Sequence, residues 1–268
     1  MARKSILITG VYGLVGSCVY RHLIEKPEQY DVYGMDRNGQ TSTRVHKDEV
    51  ADVPETHFFH SDLSDISVLE QAFQNIDTVI HMAADPNSEA PWESVLENNI
   101  EGSYHLFEAA KRAGVRRVIY ASSIQVSFGY YFNVEPYKSI REGNYENVPA
   151  AFERITSDDP TWPVNLYGAS KVFGEALARM YSSTSDLSCI CIRMGGVHSK
   201  DKVPKPVASN ACTRNDMVRL IEHCIQSSDT LDFEIFYGTS NNDLQWTDNK
   251  NAAEKRGYVP EDKIDLEE

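Results

Sequence analysis

A short apolar run, Ser5-Ile-Leu-Ile-Thr9, leads into Gly10-Val-Tyr-Gly13-Leu-Val-Gly16, and helical periodicity runs over 14–25. An uninterrupted apolar run of this length reads as a strand buried on both faces. Three glycines at this spacing between strand and helix restrict the fold sharply. Gly10 permits the tight turn, Gly13 lets a pyrophosphate approach bare backbone, and Gly16 lets helix and strand pack closely. The helix start at Leu14 and Val15 offers unpaired N–H groups and a positive dipole end to phosphate. Alone, the glycines are equally a structural turn. Asp36, at the end of a second strand over 30–35, strengthens the first reading. A carboxylate there accepts hydrogen bonds from adenosine ribose hydroxyls and repels a 2′-phosphate. The pattern predicts NAD as cofactor, with Arg37 next door as the group able to accept a 2′-phosphate instead.

The alternation continues. Strands are expected over 57–60, 77–81, 117–122, 187–193 and 233–237. Helices are expected over 66–73, from 91 to about 114, around Tyr167, over 215–226, and ending near 257. Strands alternating with helices predict an α/β chain with a parallel sheet covered on both faces. Residues 124–164 break this rhythm and are longer than an ordinary connection. Their aromatics (Phe128, Tyr131, Tyr137 and Trp162 among them) predict an ordered lid rather than a disordered insertion. One domain over 1–268 is expected, with a small lobe from parts of 194–268. The acidic tail 261–268 is expected to fray.

A net charge of −14 argues against nucleic acid or an anionic membrane as partner. No apolar run is long enough to span a bilayer, and the first residues lead straight into a strand with no secretory core, which predicts a cytoplasmic protein. Five cysteines without a CxxC pair read as reduced structural thiols. His57 and His60 lack a third ligand, so no metal is expected.

Tyr167 and Lys171 stand four apart in Asn165-Leu-Tyr-Gly-Ala-Ser-Lys-Val-Phe-Gly-Glu175. On a helix they share one face. An ammonium beside a phenol favours the phenolate. A free tyrosine titrates near pH ~10, so a base useful near neutrality needs a shift of roughly three units, about 4 kcal/mol. The pair reads as a device for moving a proton on or off a hydroxyl. Two solvated side chains on a surface helix are the alternative, and the cradle and Asp36 weigh against it.

With the glycine turn, Asp36, Ser122-Ser123 and Tyr167-Gly-Ala-Ser-Lys171 in this order, the chain resembles the extended short-chain dehydrogenase/reductase family over nearly its whole length. The resemblance implies a Rossmann-type, doubly wound fold with Ser123, Tyr167 and Lys171 as catalytic residues. It implies Asp62 and Leu63 beside the adenine, Met82, Ala83 and Ala84 beneath the cofactor, and cofactor contacts from Asn99 and Met194. Tyr167-Gly-Ala-Ser-Lys-Val-Phe-Gly-Glu-Ala-Leu-Ala-Arg-Met-Tyr181 and Tyr237-Gly-Thr-Ser-Asn-Asn-Asp243 resemble uronate dehydrogenases. His81-Met-Ala-Ala-Asp-Pro86 and Glu89-Ala-Pro-Trp-Glu-Ser-Val-Leu-Glu-Asn-Asn-Ile100 also resemble haloarchaeal NAD-dependent glucose-6-phosphate dehydrogenases. Both groups oxidise the anomeric carbon of a pyranose to a lactone.

The implied substrate contacts are Pro86, Ser123, Ile124, Gln125, Tyr167, Gly196 and Lys205. Three departures separate the chain from uronate dehydrogenases. Ile124 and Gln125 replace Asn-His, Gly196 replaces a substrate-contacting serine, and Pro206 falls near the place of the carboxylate-gripping arginine. Lys205, Lys202, Lys138, Arg141 and Arg154 are the candidates to bind an anionic group instead. The resemblance also implies a small-molecule sugar as substrate and a homodimer formed through helices 91–113 and 164–182. A nucleotide-sugar epimerase or dehydratase, and a non-catalytic NAD-binding scaffold, are the competing readings.

Overall fold

Apolar runs separated by amphipathic helices leave the strands parallel pairing as the way to satisfy their backbone groups. A computed structural model of the chain describes residues 3–37 and 39–267. Its main sheet contains β1 (Lys4–Thr9), β2 (Tyr30–Asp36), β3 (Phe58–His60), β4 (Thr78–His81), β5 (Arg117–Ser123) and β6 (Ser188–Met194). Two-residue strands β7 (Gly196–Val197), β8 (Lys202–Val203) and β9 (Ala211–Cys212) follow, then β10 (Phe233–Gly238), which completes the main sheet, and β11 (Asp265–Leu266). The seven strands lie in the order β10-β6-β5-β4-β1-β2-β3, all parallel. This is a Rossmann-type doubly wound sheet, and its order reverses between β1 and β4. Ligands of such sheets bind at that switch, outside the carboxyl ends of the strands.

Helices α1 (Leu14–Ile24), α2 (Ile66–Ala72), α3 (Trp92–Val95) and α4 (Gly102–Ala113) cover the first half. Short α5 (Phe128–Asn133) and α6 (Tyr137–Glu142) precede α7 (Leu166–Thr184), and α8 (Lys205–Ala208), α9 (Arg214–Ile225) and α10 (Lys250–Arg256) follow. Strand β1 shows why both faces are needed. Ile6 and Ile8 join the cluster containing Leu23, Leu220 and Ile221, while Leu7 joins Leu69, Phe107 and Ala178 on the opposite face. None of the described helices is long and apolar enough to cross a membrane. All five cysteines are free, and four are buried.

The expected helix from 91 to about 114 is interrupted by a π turn, Leu96–Glu101, between α3 and α4. Asn99 lies in that turn, fully buried. Residues 124–164 are ordered, as their aromatics predict. Tyr131 stacks on Trp246 at 5.1 Å, and Ile155 N donates to Trp246 O at 2.9 Å. The Gly129 backbone presses so closely on Trp162 that a Cβ there would lie 2.0 Å from the indole. Residues 261–267 are held in place rather than frayed as expected, and Glu268 lies outside the described residues. Strand β11 pairs with β8, and the buried Asp216 carboxylate accepts the N–H groups of Glu261 and Asp262 at 2.9 and 3.2 Å. Acidic composition suggested solvation, but one internal acceptor fixes the segment.

Glu222 of α9 ties that helix to α1. It accepts from His22 at 2.7 Å and from Lys26 at 2.6 Å. Burial opposes its charge, but these hydrogen bonds and the Lys26 ammonium outweigh burial and hold its carboxyl at about 2, below the usual 4.5. A carboxyl depressed on folding stabilises the protein above pH 4.5, and that contribution is lost as pH falls through about 2. Allowing for solvent screening, it amounts to roughly 2 kcal/mol. Urea unfolding across this window should lose this share of its acid sensitivity in Glu222→Gln.

Candidate active site

A cleft of about 660 Å³ opens at the switch between β1 and β4. The glycine turn forms its floor. Gly10 has φ +66°, and a Cβ there would lie 2.9 Å from the Ala83 backbone. A Cβ on Gly16 would lie 2.3 Å from the Gly10 carbonyl oxygen, so the helix can approach the strand only with hydrogen at that position. Gly13 caps α1 and, with Leu14, Val15 and Gly16, turns the helix start into the cleft. Asp36 ends β2, and its Oδ2 accepts Tyr12 N at 3.2 Å. Arg37 donates to Asn98 Oδ1 at 2.9 Å, beside Asp62 and Leu63 at the same end. A bare backbone cradle at a helix start, with a carboxylate one strand away, fits a dinucleotide.

The floor continues through Met82, Ala83, Ala84 and Pro86. Thr9 Oγ1 holds it by meeting His81 Nδ1 at 2.9 Å and accepting Ala83 N at 3.2 Å. Burial, then the Lys171 charge, pushes His81 down to about 3, so its ring is neutral near pH 7.

The far wall comes from β5 and α7. Ser123 ends β5, buried, and its hydroxyl accepts Gln125 N at 3.2 Å. Asn165 caps α7 by accepting Gly168 N at 2.7 Å and donates to Gln125 Oε1 at 2.8 Å. A Cβ on Gly168 would lie 2.9 Å from the Gln125 carbonyl oxygen, so the glycine lets the helix start against the segment that follows β5. Tyr167 is half-buried and Lys171 fully buried one turn on. The Lys171 ammonium lies 5.5 Å from the Tyr167 ring centre and 5.1 Å from that of Tyr120. Gly174 allows this depth, because a Cβ there would lie 2.1 Å from the Tyr120 hydroxyl.

The electrostatics differ from the simple pairing. Burial pushes the Tyr167 phenol up, while the Ser123 hydroxyl and the Arg44 guanidinium favour its ionised form and Asp85 opposes it. Burial lowers Lys171 to about 8. The cation acting on the phenol from across the cleft is Arg44, which the spacing of residues around Tyr167 could not reveal.

The model of the NAD dependent epimerase/dehydratase family matches residues 6–232. The chain belongs to this family. An NAD-dependent glucose-6-phosphate dehydrogenase of Haloferax volcanii is 31% identical over 97% of this chain and 94% of its own. An L-arabinose 1-dehydrogenase (NAD(P)(+)) of the same organism is 32% identical over 76% of this chain and 70% of its own. Among solved structures, a variant of uronate dehydrogenase from Agrobacterium tumefaciens complexed with NAD superposes with a TM-score of 0.76 at 26% identity. It covers 97% of this chain and 86% of that one.

Within this family member, most residues singled out from sequence line one cleft: Gly10, Gly13, Asp36, Asp62, Met82, Ser123, Ile124, Gln125, Tyr167, Lys171, Met194 and Gly196 among them. Two do not. Asn99 lies behind the wall, where its amide donates to Asp85 O at 3.1 Å and Ser170 Oγ at 3.2 Å and accepts Asp85 N at 2.8 Å. Its polar atoms brace the Asp85 loop against α7. Lys205 sits at the start of α8, and its ammonium lies 4.4 Å from the Tyr145 ring centre. Of the other basic candidates, Arg141 stacks on Phe132 and Arg154 faces Gln245. Arg44 and His198, which sequence reading passed over, line the cleft instead. Both belong to irregular segments without a motif.

Proposed function

We propose that this chain is an NAD-dependent sugar dehydrogenase that oxidises the anomeric (C1) hydroxyl of an aldopyranose to the lactone. The sugar carries a 6-substituent, as in a hexose 6-phosphate, a sulfonated hexose or a uronate. The observation that carries the reading is the meeting of Ser123, Tyr167 and Lys171 on one wall of the cleft whose floor is the glycine cradle. A hydroxyl bound there has a phenol to receive its proton and a serine hydroxyl to orient its oxygen. Lys171 supplies positive charge beneath the tyrosine and would hold the nicotinamide ribose. The cradle and Asp36 would hold the pyrophosphate and adenosine. NAD supplies the acceptor for the hydride that leaves C1. The family relatives named above act on aldoses or are complexed with NAD, which supports this choice over the epimerase and dehydratase chemistries in the family's description.

Incubation of the purified chain with NAD and a panel of aldoses, followed at the NADH absorbance band, tests the reading. Stoichiometric NADH is the expected result. An epimerase or dehydratase returns the hydride and releases none, and a scaffold shows no turnover with any sugar. The same helices that carry the site expose an apolar stripe: Leu166, Phe173 and Met180 on α7, with Trp92 and Tyr104 alongside. A second copy of the chain is its proposed cover. Sedimentation should then report twice the 30.2 kDa chain mass.

A further inference from the structure

The charges of the cleft are divided between its ends. Asp36, Asp62 and Arg37 line the end formed after β2 and β3, while Lys171, Arg44 and His198 line the end that holds Ser123 and Tyr167. The reaction end thus gathers Lys171, the Arg44 guanidinium and an imidazole, with no carboxylate among its lining residues, in a chain of net charge −14. Lys171 is buried beneath Tyr167. Arg44 and His198 come from two loops that meet at the cleft.

Arg44 is held where it stands. Ser42 N donates to Tyr12 O, Val45 N donates to Ser42 O, both at 3.0 Å, and the Val45 side chain is buried in the core. From this anchored turn the Arg44 Nη2 reaches the carbonyl of Val197 at 3.0 Å, linking the loop after β2 to β7. Among the described residues no carboxylate forms an ion pair with Arg44, and no hydrogen-bond partner is present for the His198 ring. Gly196 makes room for that ring, since a Cβ there would lie 3.0 Å from His198 Nε2. The missing side chain at 196 and the imidazole at 198 thus belong to one arrangement.

We propose that Arg44 and His198 form the subsite for the anionic substituent of the sugar, a phosphate, sulfonate or carboxylate oxyanion. The inference builds on the dehydrogenase reading for its substrate. A guanidinium with one N–H committed to a backbone carbonyl still presents other donors in a plane, and an imidazole beside it adds another. The helix start of α1 would serve the cofactor phosphates, so a second site, a guanidinium and an imidazole at the end that holds Tyr167, matches a second anion. Lys205, held over Tyr145, plays no part in it.

The test compares wild type with Arg44→Ala and Arg44→Lys in titrations of glucose 6-phosphate and glucuronate into the NAD complex, with NAD affinity measured separately. Turnover is read in parallel with glucose 6-phosphate, glucuronate and glucose. Arg44→Ala should weaken binding of the preferred anionic sugar, and lower its kcat/KM relative to glucose, by about 30-fold. Arg44→Lys should fall between, because it keeps charge and loses the planar fork. NAD affinity should stay within about threefold, and Lys205→Ala should behave as wild type. Equal losses for glucose and the anionic sugars overturn the proposal. So does weakened NAD binding with sugar affinity intact, which would assign Arg44 to the cofactor pyrophosphate. Absence of NADH from every aldose would overturn the dehydrogenase reading alone, because the titrations still decide the subsite. Failure of wild type to bind any anionic sugar overturns the subsite.

Discussion

Replacing Tyr167 with phenylalanine is expected to lower turnover by roughly 10²–10⁴-fold, or about 3–5 kcal/mol of barrier, while NAD stays bound. The ring keeps its place on α7, one turn before Lys171, and only the proton acceptor is lost. Burial holds the phenol above its ordinary pKa, and Ser123 and Arg44 work against that shift. The positive nicotinamide ring of bound NAD would add to them. Turnover in wild type should therefore rise toward alkaline pH, and Tyr167→Phe should abolish that rise together with the rate. Fluorescence titration of NAD alongside the turnover assay separates the two effects. Near-wild-type turnover in this variant would remove Tyr167 from the chemistry and the proposed mechanism with it.

The second large effect lies one further turn along the same helix. Glu175 receives Arg193 Nε and Nη2, each at 2.9 Å, and accepts the Ser122 hydroxyl at 2.6 Å. Arg193 Nη1 also donates to Tyr237 Oη at 3.0 Å, and that hydroxyl meets Ser127 Oγ at 2.6 Å. The network joins α7 to β5, β6, β10 and the root of the lid, and it is buried throughout. Glu175→Gln leaves Arg193 charged and without a counterion in the interior. Breaking such a pair from one side costs roughly 3–5 kcal/mol. In a chain of this size that corresponds to a thermal midpoint lower by about 10 °C. Adding Arg193→Met to Glu175→Gln should recover part of the loss, because no buried charge then lacks a partner. A Glu175→Gln variant within about 1 kcal/mol of wild type would show that the pair contributes little.

Much of the fold was legible because its signals are local. Ser5 to Thr9 followed by three glycines implies strand, turn and helix within a dozen residues, and the structure has β1, the turn and α1 there. The spacing of Tyr167 and Lys171 places them on one helical face wherever the helix lies. The aromatics of 124–164 pointed to order without saying what they pack on. Their partner is Trp246, more than eighty residues further along the chain. The tail misled for the same reason, since its acidic residues gave no sign of the buried Asp216 carboxylate that receives their backbone. The π turn was hidden too: Asn99 within it bonds to Ser170 on another helix, a meeting that no local pattern records.

By itself, then, the sequence determined the parallel sheet, the glycine turn between β1 and α1, the place of Asp36 and the order of Ser123, Tyr167 and Lys171. Each depends on backbone geometry or helical register over a few residues. Only the tertiary structure brought Arg44 and His198 to the cleft that Tyr167 lines. It placed Asn99 beside Ser170 and Lys205 over Tyr145, and it brought Arg44 to Val197 across a separation of 153 residues. The carboxyl ends of parallel strands converge on one edge of the sheet, so the loops that meet there come from distant parts of the chain. Local sequence patterns carry no record of that meeting.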